Sequence, residues 1–400
     1  MLKNYIKIAF KVMMRQKFFT AVSLFGISFT IMIFSILLGL FDFVYGNNAP
    51  AVHHDRMIYF EGMSTSKKPD YFSYLIADSS FYNEIRKLKQ VQNVSLYRES
   101  TLSSFRKDRV VTFNTAYTDA EHWKIYDFTF LEGRPYNQKD VQEKQAYTVI
   151  SESVKHYYFG DKPALGQYIG EHPKLKVIGV VKDGISIFKA GTEAASIWIA
   201  SGIYVGYTDM QATILVRSKR EIPVVKSALE GIAKRTAIYK SIGGKLTINA
   251  DTIFEKLDFD EASIFLGGFL FFIMAIPALN MMGLNVGRIS ERSSEIGIRK
   301  AFGASSSALV GQFITENIII TFIGGILGIL LTFAASDMLL EVIYYENPET
   351  AFAKGNFMLN WKTIGYSMTC ILFFGFLSGI IPAWRMSRLH AIKALKGGSL

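Results

Sequence analysis

The stretch Glu291–Ser305, "ERSSEIGIRKAFGAS", gathers Glu291, Arg292, Glu295, Arg299 and Lys300 between two runs without a charge, Ala262–Gly287 and Asn317–Ser336. Two further uncharged runs lie at Phe18–Phe41 and Thr363–Trp384. A membrane-crossing helix takes roughly 20 apolar residues at about 1.5 Å each, so all four runs are long enough to span. The 400 residues are 50% hydrophobic and 14% aromatic, in keeping with that reading. The first run extends over 24 residues and ends in "LFDFVYG" without a small-residue cleavage pattern, so it reads as a retained signal anchor.

Charge orients the spans. Segment 1–17 carries Lys3, Lys7, Lys11, Arg15 and Lys17 with no acid, and segment 385–400 carries Arg385, Arg388, Lys393 and Lys396. With the charged connection 288–316, these segments account for the whole net charge of +10, while segments 42–261 and 337–362 cancel. Positive flanks stay in the cytoplasm, which places both termini and the connection inside and the other two segments outside. Topology therefore explains a basic balance that would otherwise suggest nucleic acid, and nucleic acid is set aside.

The expected organisation is a cytoplasmic amphipathic helix (1–17), spans at 18–41, 262–287, 317–336 and 363–384, an extracytoplasmic domain (42–261), a cytoplasmic loop (288–316), an outer loop (337–362) and a cytoplasmic tail (385–400). In the first segment the bases at 3, 7, 11 and 15 oppose a stripe of Leu2, Ile6, Ala9, Phe10 and Met13, a pattern suited to the inner membrane surface. The outer segment alternates strand-like runs, "RMIYFE", "RVVTFNTAY", "AYTVIS", "KLKVIGVV", "ASIWIA" and "QATILVRS", with helical patterns near Ser80–Leu88, Ser153–Phe159 and Ile222–Arg235. The fold class is α+β: a four-helix transmembrane domain with a large extracytoplasmic α+β domain, expected as two lobes, inserted between the first and second spans.

Several chemistries find no support. The single cysteine, Cys370, lies in the fourth span, so no intramolecular disulfide forms. His53-His54-Asp55 lacks a third ligand at a recognisable spacing and reads as an exposed polar turn. "SIGGKLT", Ser241–Thr247, lacks the spacing and the final hydroxyl of a phosphate-cradling loop. No catalytic constellation stands out, which weighs against a membrane-anchored hydrolase. The uncharged runs hold no ionisable residue, so an ion-coupled tunnel is disfavoured. Gly324-x3-Gly328 and Gly375-x3-Gly379 offer flat strips for close helix approach, and Pro277 is expected to kink the second span, with Asn280 one turn later.

Within the opening stretch, Glu295 precedes Arg299 by four residues, the favourable order on a helix. Ile298 and Phe302 share a face with Ala301 beside them, and Lys300 falls in the last turn, where a cation suits the helix dipole. Gly303 suits the position after a helix end, and Ser305 can cap the helix that follows. A short amphipathic helix, a tight break and a new helix is the expectation.

"ERSSEIGIRKAFGAS" followed by "GQFITEN" resembles the hallmark of the FtsX-like/MacB-like permeases, membrane subunits of one ABC transporter superfamily. Arg292, Glu295, Ile296, Gly297, Ile298, Arg299, Lys300, Ala301, Gly303 and Ala304 match its pattern. The opening "IKIAFKVMMRQKFFTAVSLFGISFTI", the outer "FLEGRPYNQKD", "YYFGDKPALGQYIG" and "KVIGVVKD", and the closing Pro382-Ala383-Trp384-Arg385 with Ile392-Lys393-Ala394-Leu395 are similar as well. Ala391 departs from a frequent proline. The resemblance implies a homodimer or paralogous heterodimer in the inner membrane, joined along the first and second spans. It also implies cytoplasmic ABC ATPase subunits on separate chains, with ATP bound there and no cofactor bound directly by this chain. Arg292, Glu295, Ile296, Gly297, Ile298, Arg299, Lys300, Phe302 and Gly303 would form the ATPase-coupling surface. Mechanotransmission would drive export or release of a substrate, with a periplasmic adaptor and an outer-membrane channel as further partners. The alternative is a transmembrane signalling or scaffold protein that relays ATPase state to an extracytoplasmic enzyme.

Overall fold

The computed structural model describes residues 10–65, 79–106, 109–171, 173–183, 192, 195–204, 210–235, 246–291, 293–346 and 360–387. In chain order its main helices are α1 (Lys17–Tyr45), α2 (Ser79–Arg86), α3 (Glu152–Phe159), α4 (Ile222–Ala233), α5 (Phe259–Glu291), α6 (Ser293–Ala301), α7 (Ser306–Glu346) and α8 (Trp361–Ser387). The strands are β1 (Met57–Thr65), β2 (Val91–Arg106), β3 (Arg109–Thr118), β4 (Phe130–Gly133), β5 (Tyr147–Ser151), β6 (Tyr168–Ile169), β7 (Leu175–Val181), β8 (Ile197–Ala200), β9 (Gln211–Val216) and β10 (Leu246–Asp251). The chain divides into two compact units, one drawn from Met1–Phe41, Ser263–Leu339 and Asn356–Leu400, the other from Asp42–Ala262 and Leu340–Gly355.

The second unit is built on one sheet with the order β10-β1-β9-β2-β3-β8-β5-β7-β4, and β6 pairs with β7 off that path. The β3–β8 and β5–β7 pairs are parallel and the others antiparallel. Successive side chains of a strand point to opposite faces, and here both faces are covered. In β8, Ile197 and Ile199 join a cluster with Val154 of α3, while Trp198 and Ala200 join one with Tyr136 and Val141. In β1, Ile58 and Phe60 pack with Phe81, Tyr82 and Leu229, whereas Met57 and Tyr59 pack with Tyr126 and Ile253. Burial on both sides explains why these strands read as continuous apolar runs rather than as alternation. The two expected lobes share one continuous sheet, each half with its own apolar clusters. One expectation is corrected. His54 is buried, its ring edge-on to Tyr59 at 6.1 Å, because the turn His54–Arg56 leads straight into β1.

The first unit is helical. Among the described residues four helical stretches are long and apolar enough to cross a membrane: Lys17–Tyr45, Phe259–Gly287, Ser306–Ser336 and Trp361–Ile380. Helix α5 continues through positions 277 and 280. Glycines set the closest approaches. A Cβ on Gly324 would sit 2.7 Å from Ile27 Cγ2, and one on Gly328 would sit 2.6 Å from Ile31 Cβ, so the strip of α7 lies against α1. A Cβ on Gly375 would meet Thr321 Oγ1 at 2.5 Å and one on Gly379 would meet Asn317 Nδ2 at 2.8 Å, so the strip of α8 lies against α7. Small residues admit such contact where dispersion and hydrogen bonds, rather than water exclusion, hold helices together. Polar groups complete the packing: Ser28 Oγ donates to the Gly324 carbonyl (3.0 Å) and Ser35 Oγ to Ser367 Oγ (2.9 Å).

Candidate functional site

Helix α6 starts two residues after α5 ends, and its C-terminus is closed twice over. The Gly303 N–H donates to the Lys300 carbonyl (3.1 Å) and the Ala304 N–H to the Arg299 carbonyl (3.0 Å), the paired bonds of a Schellman motif. Gly303 has φ +89°, a left-handed conformation that a side chain resists. Ser305 Oγ then accepts from the Ala308 N–H (3.3 Å) and caps the next helix. The helix–break–helix read from the sequence is present at the expected residues.

The joint has a small apolar core of its own. Ile296 is buried with Leu309 and Phe313 of α7. Gly297, next to it, is buried too. Glu295 and Arg299 form the expected ion pair, exposed enough to stabilise by only about 0–1 kcal/mol. Arg299 also donates from Nη1 to Gln312 Oε1 (3.2 Å), and Gln312 donates from Nε2 to Glu316 Oε1 (2.8 Å). Gln312 and Glu316 are both buried. Ile298 and Phe302 stay outside this joint, 48% and 89% exposed, with Ala301 exposed beside them and Lys300 half-buried in the last turn. Arg292 lies outside the described residues.

At the residue after Glu316, α7 is tied to its neighbours. Asn317 Nδ2 donates to the Gly375 carbonyl (2.8 Å) and to Ser378 Oγ (3.2 Å) of α8, and Asn317 Oδ1 accepts from Asn285 Nδ2 of α5 (3.1 Å). Sequence reasoning missed Gln312, Glu316, Asn285 and Asn317. The four-residue spacing of Gln312 and Glu316 was the available signal. Helix α7 begins at Ser306, eleven residues before the uncharged run Asn317–Ser336, so Gln312 and Glu316 lie on the same continuous helix as that run and just ahead of it.

The second unit has a cleft of about 440 Å³ lined by Arg86, Asn93, Asp119, Glu121 and neighbours. Its charges answer one another: Arg86 lies 3.6 Å from Asp119, and Asn93 donates to Glu121 (2.8 Å). Burial pushes the Asp119 carboxyl up to about 6, against hydrogen bonds from the Leu96 N–H and Ser95 that hold it down. Nearby, the fully buried His122 ring sits among Trp123, Tyr126 and Phe128 with both nitrogens unbonded, and burial lowers its pKa to about 3. Among the described residues no group of three or more His, Cys, Asp or Glu is placed to hold a metal ion. Of the stretch Ser241–Thr247, "SIGGKLT", residues 241–245 lie outside the described residues.

Comparison with known proteins adds two family matches. Residues 20–233 match the MacB-like periplasmic core domain and residues 267–391 the FtsX-like permease C-terminal domain. Among curated proteins, the chain is 25% identical over 327 residues to the macrolide export ATP-binding/permease protein MacB of Shewanella oneidensis, covering 78% of this chain and 48% of that protein. It is 27% identical over 286 residues to the pyoverdine export ATP-binding/permease protein PvdT of Pseudomonas syringae pv. tomato, covering 68% and 41%. The chain thus spans about half the length of the curated relatives it matches. Among solved structures, the periplasmic region of MacB from Actinobacillus actinomycetemcomitans aligns with TM-score 0.40 at 17% identity, over 51% of this chain and 92% of that one.

Proposed function

Because the chain belongs to the family of FtsX-like permeases with a MacB-like periplasmic core domain, we propose that it is the membrane subunit of an ABC transporter and that α6 receives a cytoplasmic ABC ATPase. ATP is bound on that partner rather than by these residues. Closure of the ATPases pushes on α6, the spans tilt, and the outer domains open or close, so that a substrate on the outer side is exported or released. The outward direction is supported by relatives named for macrolide and pyoverdine export. Two copies of the chain, or this chain and a paralogue, form the working unit, with both termini and α6 in the cytoplasm.

The observation that carries this reading is the division of labour on one short helix. Ile296 is spent on the joint with α7, while Ile298 and Phe302 are held outward by a doubly capped turn. A stop signal between two spans needs charge and hydration, not an apolar pair on a braced helix. An aromatic anchor at the centre of an interface typically contributes about 2 kcal/mol or more, roughly a thirtyfold change in affinity. Purification of the full chain from its own host's membranes should bring down an ABC ATPase. Phe302→Asp and Ile298→Asp should lose that ATPase at least tenfold, with membrane insertion and dimerisation kept. A Phe302→Asp chain that retains the ATPase at the parent level would reduce α6 to a hydrated stop signal.

A further inference from the structure

The contact between α6 and α7 has two halves with different mechanical properties. Its apolar half, Ile296 against Leu309 and Phe313, is small and non-directional, so it would tolerate sliding of one helix on the other. Its polar half is directional. The guanidinium of Arg299 can only donate and the carboxylate of Glu316 can only accept, so an amide between them is held in one orientation, Oε1 towards Arg299 and Nε2 towards Glu316. Reversal of that amide would face donor with donor at one end and acceptor with acceptor at the other. Both members on α7 are buried, where an unmade bond is costly. The next residue, Asn317, passes the connection to Asn285 of α5 and to Gly375 and Ser378 of α8.

We propose that Gln312 and Glu316 are positioning residues: they lock α6 onto α7 as one rigid lever, so that force on α6 enters the membrane through the third span and reaches the second and fourth at Asn317. This deepens the docking function proposed above and rests on it for its purpose, but the lock itself is a property of this chain alone. Phe302 meets the partner, whereas Gln312 and Glu316 are buried within the chain and act through Arg299.

The test uses pulsed electron-spin distances in the full Cys370→Ser chain, diluted with unlabelled chain in phosphatidylethanolamine–phosphatidylglycerol vesicles. Nitroxides at the exposed positions Ala301→Cys and Leu330→Cys report the lever, and a pair at Phe25→Cys and Phe373→Cys reports the bundle. The parent lever pair should give one narrow distribution. Gln312→Leu and Glu316→Leu should widen it at least about twofold, while Glu316→Gln, which keeps an acceptor oxygen for the Gln312 amide, should restore the narrow form. The bundle pair should stay narrow throughout. Unchanged width in both leucine variants overturns the lock, as does a Glu316→Gln distribution as broad as that of Glu316→Leu. Equal broadening of the bundle pair also overturns it, since the two residues would then hold the whole fold. No ATPase is present, so failure here leaves docking at Phe302 standing, and loss of docking leaves this result standing.

Discussion

His122 and Asp119 lie three residues apart and respond to acid in opposite senses. The His122 pKa is lowered by burial from 6.5 to about 3, so its contribution to stability is whole above pH 6.5 and is lost as pH falls towards 3, by roughly 5 kcal/mol in all. The Asp119 pKa is raised by burial from 3.8 to about 6, so its contribution is whole below pH 3.8 and is lost as pH rises through 6, by roughly 3 kcal/mol. Between pH 6 and 4 the two slopes offset each other. His122→Phe, which fills an aromatic nest and removes two unbonded nitrogens, should therefore turn the profile so that stability rises on going from pH 7 to 4. Asp119→Asn should instead leave the full chain losing stability steadily from pH 6.5 downward. Urea midpoints followed by tryptophan fluorescence report both, since Trp123 lies edge-on to His122 at 5.0 Å. Parallel pH profiles for the two variants would contradict the assignment of either group.

Among the elements, the glycine strips make the sharpest contrast. Gly328→Val would place its Cβ within 2.6–2.8 Å of Ile31 and the Ser28 carbonyl, and overpacking of this kind costs about 1–3 kcal/mol or more. Gly267→Val on α5 meets nothing within 4 Å. Thermal denaturation in detergent should show a clear fall for the first and a change near zero for the second, and equal falls would contradict the α1–α7 contact. The turn after α6 behaves differently again. Gly303→Val has open space for its side chain but strains a backbone at φ +89°, so it should preserve the helical unit and blunt transport more than ATPase docking. Much of this was legible beforehand, because the signals are local. Gly303, Ser305 and the Glu295–Arg299 spacing follow from the requirements of a helix end, and six strands announced themselves as β-branched and aromatic runs. Strand β2, "VQNVSLYRESTLSSFR", did not: its outer half holds Arg98, Glu99 and several serines, and pairing with β3 over ten residues overrides that polarity. The Arg299–Gln312 bond was hidden for the opposite reason. Its partners are thirteen residues apart and meet only because the turn at Gly303 folds α6 back on α7.

At the scale of the molecule, the charge distribution makes a topology prediction. With Cys370→Ser as background, a cysteine at Ser201 should react with a membrane-impermeant thiol reagent once the protein is reached from outside, after unfolding where its burial requires it, and one at Ser399 only after permeabilisation. The reverse pattern would invert the molecule and remove α6 from the reach of any cytoplasmic ATPase. Dimerisation is expected along α1 and α5, where Phe25, Phe29, Phe265, Phe272 and Ile276 are exposed, while the glycine strips of α7 and α8 are occupied within one chain. The central claim is that nucleotide state on the cytoplasmic side moves the outer domains through α6. Its most direct measurement is the distance between spin labels at the exposed Val110 of two copies in the reconstituted complex with its ATPase, with and without ATP and vanadate. The distance should shift with nucleotide in the parent and stay fixed in Phe302→Asp; a parent distance that ignores nucleotide, or a Phe302→Asp distance that still follows it, would contradict the account.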